Sequence, residues 1–301
     1  MTSHRGLPLR HALLALAVVA VWGSNFVVIK AALATLPPLL LGTLRFAIAF
    51  LPAALFVQRP DVPWRVLAGY GVAIGAGQFG LLFVAMRADL SPGLASLEIQ
   101  TQVFWTIGLA VLLGRERPKR LQWAALVLAA AGLGVVAWHT DATTTPLGLA
   151  LVLAAALCWA LGNTLAVSAG RVPMLAFMVW TSAFAVPPLL LLSLVLEGPA
   201  AMAQGVARAD VATWAAVVWQ SVGNTLFGYG AWAWLMARHS AAIVPPTALL
   251  VPVFGLGTSA LVLGEPLQGW KLAAAALVIG GLALNLLAPR LLRPSARAPT
   301  A

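Results

Sequence analysis

The sequence is a succession of apolar runs about 20 residues long separated by short polar stretches, and that spacing limits what the chain can fold into. A helix rises about 1.5 Å per residue, so about 20 apolar residues cross a bilayer core of about 30 Å with every backbone group bonded inside the helix. Ten such runs are read, in the windows 9–30, 39–57, 64–86, 93–113, 121–138, 147–167, 174–196, 211–235, 243–263 and 268–288. The alternation expected of barrel strands is absent, so an all-α membrane protein with ten transmembrane helices is predicted. Composition agrees, with 9% charged residues where a soluble domain carries about 25%. The first run follows a basic start but extends from Leu13 through Ile29, too long for an ordinary cleavable leader, and is read as the first helix.

A net charge of +10 would suggest nucleic acid as a partner in a soluble protein, but here the basic residues sit in the loops between spans. One side of the predicted bundle collects Arg5, Arg10, Arg59, Arg65, Arg115, Arg117, Lys119, Arg120, Arg171, Arg238, Arg290, Arg293 and Arg297. The other collects Lys30, Arg87, Arg208 and Lys271. Thirteen against four places both termini in the cytoplasm, with residues 289–301 as a basic cytoplasmic tail. The single cysteine, Cys158, lies in an apolar run and excludes an internal disulfide or a cysteine metal cluster. No metal or cofactor is expected.

Sliding the chain by 149 residues lays Ser91 on Ser240, Glu116 on Glu265, Leu128 on Leu277 and Gly132-Leu133 on Gly281-Leu282. Near the start of each half a tryptophan precedes an asparagine, in Trp22-Gly23-Ser24-Asn25 and Trp159-Ala160-Leu161-Gly162-Asn163. Two five-helix repeats are therefore predicted, residues 9–139 and 146–288, and the odd number of spans in each makes them inverted. Inverted repeats suit alternating access, with the substrate site near midplane between the halves.

Polar residues inside the spans mark that interior. Glu98 is the one acidic residue deep within an apolar run, and a charge at the centre of a membrane helix costs roughly 2.5–3.5 kcal/mol on insertion scales. On a regular helix Glu98, Thr101, Gln102 and Trp105 share a face, while Gln100 points elsewhere. Trp22, Asn25, Phe26 and Ile29 form a stripe on the first span, and Gln220, Asn224 and Phe227 another on the eighth. Each amide has two readings, a ligand contact or a hydrogen bond to a neighbouring helix. Gly71 and Gly75 are read as close-packing positions. Arg45, deep in the second span, is read as a structural or gating residue ahead of a direct contact to a substrate carboxylate, with pairing to Glu98 or snorkelling to an interface also open; Lys30, at the end of the first span, snorkels. Glu98 either loads and releases a proton, which couples transport to a proton gradient, or is held by Arg45 or neighbouring amides. Glu116 and Glu265 are expected to cap the helix that follows each of them.

The run Trp22-Gly23-Ser24-Asn25-Phe26-Val27-Val28-Ile29-Lys30, with Pro37-Pro38, Leu44-Arg45-Phe46, Gly93-Leu94-Ala95-Ser96, Gln100, Gln102, Trp159, Gly162-Asn163, Gly228-Tyr229-Gly230, Leu250-Val251-Pro252-Val253 and Glu265, resembles the EamA-domain branch of the drug/metabolite transporter superfamily. Within that branch it is similar to the O-acetylserine/cysteine exporters. The resemblance implies a ten-helix bundle of two inverted EamA repeats in the inner membrane that exports small cysteine-pathway metabolites or related amino acids. It makes Trp22, Asn25, Arg45, Gln100, Gln102, Trp159, Asn163 and Tyr229 candidate pathway residues. Glu98 departs from the family pattern, in which that position is apolar, and enters the candidate set on its membrane cost alone.

The function expected is secondary transport of a small amino-acid-like metabolite by alternating access. The same machine with aromatic amino acids, nucleobases or drugs as cargo is the nearest alternative. An enzyme has little to work with, since H-E-x-x-H, G-x-S-x-G and P-loop patterns are absent and His4, His11, His139 and His239 fall at the termini or span ends. A structural membrane protein leaves the interior polar face unexplained. The bilayer and the cargo are the partners the sequence points to; it carries no signal for oligomeric state.

Overall fold

The computed structural model describes residues 7–88, 90–113, 120–139, 144–239 and 243–291. Glu116, Ser240 and residues 292–301 of the basic tail lie outside them. Among the described residues the chain is all helical, apart from an isolated bridge between Leu90 and Thr144.

Helices α1 (Leu9–Leu33) and α2 (Pro38–Phe50) are followed by a stretch in which α3 (Trp64–Gly71) runs through a π-helical segment, Val72–Gly80, into α4 (Leu81–Ala88). The fourth stretch is α5 (Pro92–Glu98), a 3-10 turn at Ile99–Thr101 and α6 (Gln102–Leu112). Next come α7 (Arg120–Trp138), α8 (Pro146–Ser168), α9 (Met174–Leu192) and the short α10 (Pro199–Arg208). Helix α9 ends in a short π-helical segment, Ser193–Glu197, and α11 (Val211–Val218) continues through a third, Trp219–Phe227, into α12 (Gly228–Arg238). A 3-10 turn at Pro245–Leu249 leads into α13 (Leu250–Leu263), and α14 (Gly269–Leu291) closes the described chain.

Eight helical stretches among the described residues are long and apolar enough to cross a membrane. The two other stretches predicted to cross, 93–113 and 211–235, fall outside that set. These two carry Glu98, Gln100, Thr101 and Gln102 in one and Gln220, Ser221, Asn224 and Thr225 in the other, which lowers their hydropathy. Helix α10 lies in a segment without an apolar run, and Gly205 on it sits against the ring of Pro37.

Local chemistry sets the helix ends. Pro38, Pro92, Pro146 and Pro199 each open a helix, where the missing N–H costs nothing. Asp210 accepts from the Thr213 N–H at 2.8 Å to start α11, and Gly264, at φ 67°, ends α13 in the left-handed region open to glycine.

Packing is by close approach of small residues, as expected where lipid supplies no hydrophobic drive between helices. Gly23 of α1 meets Val251 and Phe254 of α13, and Gly255 of α13 meets Ser96 of α5. Gly71 and Gly75 lie against Thr181, Phe184 and Ala185 of α9, the packing role read for them. The main partnerships are α1 with α12 and α13, α2 with α9, α8 with α6 and the Val72–Gly80 segment, α5 with α13, and α7 with α14.

Candidate functional site

The middle of the bundle holds a cavity of about 300 Å³. Its polar lining is five amides, Asn25, Gln78, Gln100, Gln102 and Asn224, and its aromatic lining is Trp22, Phe26, Phe79, Trp159 and Tyr229. Among the described residues no charged side chain lines it. Pro245, Leu249, Leu282 and Leu286 extend the wall toward the N-terminal end of α13 and the C-terminal end of α14.

Of the sequence candidates, Trp22, Asn25, Gln100, Gln102, Trp159 and Tyr229 meet on this wall; Arg45, Glu98 and Asn163 do not. Trp22 is fixed by its indole N–H, which donates to the Asn224 carbonyl at 3.2 Å, and by tilted contact with the Tyr229 ring at 5.5 Å. The Asn25 side-chain oxygen is buried without a hydrogen-bond partner. Asn163 stands behind the wall and aims one of its amides: its Nδ2 donates to Gln102 Oε1 at 2.9 Å and to Thr106 Oγ1 at 3.2 Å. It is thus a positioning residue for Gln102.

Helix irregularity corrects the predicted faces. Both Gln100 and Gln102 line the cavity, whereas Glu98 is fully buried off the wall and Trp105 is 42% exposed. An α-helix turns about 100° per residue and a 3-10 helix about 120°, so the turn at Ile99–Thr101 brings Gln100 toward Gln102 and rotates Glu98 away from it. The π-helical segment Trp219–Phe227 likewise separates Asn224, on the wall, from Gln220, buried with neither side-chain atom bonded, and from Phe227, 42% exposed.

The ion pair between Arg45 and Glu98, one of the arrangements the sequence left open, is not formed. Arg45 is 1% exposed and donates from one terminal nitrogen to Thr225 Oγ1 at 2.9 Å. Its guanidinium lies 4.0 Å from the Phe79 ring centroid. Both carboxylate oxygens of Glu98 lack a hydrogen-bond partner. The Lys30 ammonium donates to the carbonyls of Met86 at 2.8 Å and Arg87 at 3.1 Å, where a cation suits the C-terminal end of α4.

Glu265 does not cap the helix that follows it. Its carboxylate reaches the start of α5, accepting from Ser91 Oγ at 2.5 Å and the Gly93 N–H at 3.2 Å. It also accepts from Ser259 and pairs with Lys271 at 2.9 Å. Burial pushes its carboxyl up, but the hydrogen bonds from Ser259, Ser91 and Lys271 and the lysine charge outweigh that and hold it below the ordinary glutamate value.

Gln78 is the polar wall residue that sequence reasoning missed. The available signal was an amide in the middle of the third apolar run, flanked by Gly75 and Gly77.

The model of the EamA-like transporter family matches residues 9–138 and again residues 146–287. A "Probable amino-acid metabolite efflux pump" of Salmonella typhimurium is 41% identical over 93% of this chain and 96% of its own length. The protein of the same name in Escherichia coli is 39% identical over 90% of this chain and 93% of its own. A solved crystal structure, 21% identical, superimposes with a TM-score of 0.62 over 94% of this chain and 99% of that one, a likeness of fold. With the family pattern matched twice along almost its whole length, the chain belongs to the EamA-like transporter family.

Proposed function

We propose that this protein exports a small, amino-acid-like metabolite of the O-acetylserine and cysteine type across the inner membrane by alternating access, with the cavity as its cargo site. The carrying observation is the wall itself: five amides and five aromatic rings with no charged side chain among the described residues. Such a wall suits a compact cargo of zero net charge whose polar ends are matched by amides and whose body lies on rings. The unpartnered oxygen of Asn25 is an acceptor for the ammonium of such a cargo. The names of the two efflux-pump relatives favour the same class.

Two regularities support an inverted pair of five-helix repeats, residues 9–139 and 146–288, with ten crossings. The π-helical segments Val72–Gly80 and Trp219–Phe227, and the 3-10 turns Ile99–Thr101 and Pro245–Leu249, recur at nearly the sequence offset of 149 residues. Contacts pair in the same way: α1 packs on α12 and α13, and α8, its counterpart, packs on α4 and α6. A bundle with this pseudo-two-fold relation can exchange the conformations of its halves and thereby its open face. The bias of basic residues supports a topology with both termini in the cytoplasm.

Glu98 is the proton carrier in this reading. Its carboxylate is buried with neither oxygen bonded and no ion pair among the described residues. Transport by Glu98→Gln in proteoliposomes should lose its dependence on a pH gradient, and a fully retained dependence would remove Glu98 from the coupling.

Uptake into inverted membrane vesicles tests the function directly, using radiolabelled neutral amino acids, O-acetyl-L-serine and a nucleobase, with and without a proton gradient. Saturable uptake of an amino-acid-like compound is expected. The aromatic wall makes uptake of L-phenylalanine the second outcome to examine. Absence of saturable flux for every amino acid tested contradicts the proposal.

A further inference from the structure

We infer that Arg45 receives the carboxylate of the cargo, at a subsite behind the cavity wall that opens when Phe79 or Tyr229 turns aside. The inference rests on the transport reading above and names the chemical group that the site selects.

An arginine keeps its proton inside proteins, so Arg45 is a cation buried in the bundle. Buried charges are normally paired with an opposite charge, because an unpaired one forfeits its hydration without return. The chain supplies no such partner: among the described residues no carboxylate pairs with Arg45, and its Nε and one terminal nitrogen have no hydrogen-bond partner. Thr225 satisfies one donor, and the Phe46 and Phe79 rings, at 5.0 and 4.0 Å, offer their faces to the charge. These contacts hold the guanidinium in place while leaving its bidentate capacity unused.

Position connects this cation to the cargo. A second, small cavity of about 10 Å³ is bordered by Arg45, Thr225, Phe79 and Tyr229. Phe79 and Tyr229 also line the large cavity, so their rings are the partition between the two spaces. The small space has room for about one water and not for a carboxylate, which is why a ring must move. A zwitterion in the large cavity then has an acceptor for its ammonium at Asn25 and, past the partition, a fork of donors for its carboxylate at Arg45.

The test compares binding of O-acetyl-L-serine and its methyl ester, which differ at the carboxylate, followed by quenching of tryptophan fluorescence in the purified full-length protein. The wild type is expected to bind the acid at least tenfold more tightly than the ester, Arg45→Gln to bind the two within about twofold, and Arg45→Lys to keep a preference of about threefold. A wild type that does not prefer the acid, or an Arg45→Gln protein that keeps the tenfold preference, overturns the inference while leaving transport intact. Should Arg45→Gln fail to fold, the lysine variant decides, and an undiminished tenfold preference there counts against the inference. If the wild type binds neither compound, this cargo fails and the subsite is judged with acetate against neutral acetamide at equal ionic strength. A higher melting temperature in acetate for the wild type, absent from the arginine variants, sustains the subsite; equal melting in the two solutes removes it.

Discussion

Arg45 and Glu265 are both ions taken out of water, and the protein houses them in opposite ways. Glu265 has Ser91, Ser259, Lys271 and the Gly93 amide as partners, drawn from α5, α13 and α14, so its charge ties one end of three helices together. Arg45 has Thr225 and aromatic faces, with two of its three nitrogens unbonded. A satisfied ion is a fastening, whereas an unsatisfied one holds capacity for something that comes and goes.

The largest expected difference between the two sites is in stability. Glu265→Ala strands Lys271, 3% exposed, without its counterion, and breaking a buried pair in this way costs about 3–5 kcal/mol. Arg45→Gln removes a charge that the protein does not pair and should change stability by no more than about 1 kcal/mol, or raise it. Thermal melting in one detergent checks both, and equal losses would erase the contrast.

A smaller effect is expected one layer behind the wall. Asn163→Ala removes the donor that aims Gln102, and cargo affinity should weaken about tenfold, the equivalent of about 1.4 kcal/mol. Melting of this variant should stay close to that of the wild type. An affinity unchanged in equilibrium binding would mean that Gln102 does not touch cargo.

The smallest effect is in acid. The folded-state carboxyl of Glu265 lies below its ordinary value, so its contribution is complete above the usual glutamate range of about 4.3 and is lost as pH falls through the folded value. Wild-type melting should therefore decline in acid below that range, and Glu265→Gln should flatten part of the decline. Asp210, lowered by its hydrogen bonds with Thr213, leaves a residual slope. A Glu265→Gln profile parallel to that of the wild type would show that the carboxylate is not ionised in the fold.

The membrane-protein class and the main aromatic and amide candidates were legible because polar groups stand out in apolar runs, as at Asn25 and Gln102. Gln100 was assigned to the wrong face because a uniform helical period was assumed, and a three-residue 3-10 turn breaks that period where it matters. Gln78 was hidden in a glycine-rich segment that reads as packing. The Glu265 cluster was out of reach, since it joins residues 174 positions apart and no local pattern announces that meeting. Arg45 was recognised as costly, but its environment of rings and Thr225 depends on helices brought together only by the fold.

In the proposed transport cycle cargo passes through the amide and aromatic cavity, and a bulky side chain placed there should stop it. Ala248 lines the cavity, whereas Gly257, on α13, has open space around it. In a vesicle assay, Ala248→Trp is predicted to abolish uptake of a transported amino acid while the protein folds and inserts, and Gly257→Trp to retain it. Uptake at the wild-type rate by a correctly inserted Ala248→Trp protein would contradict the claim.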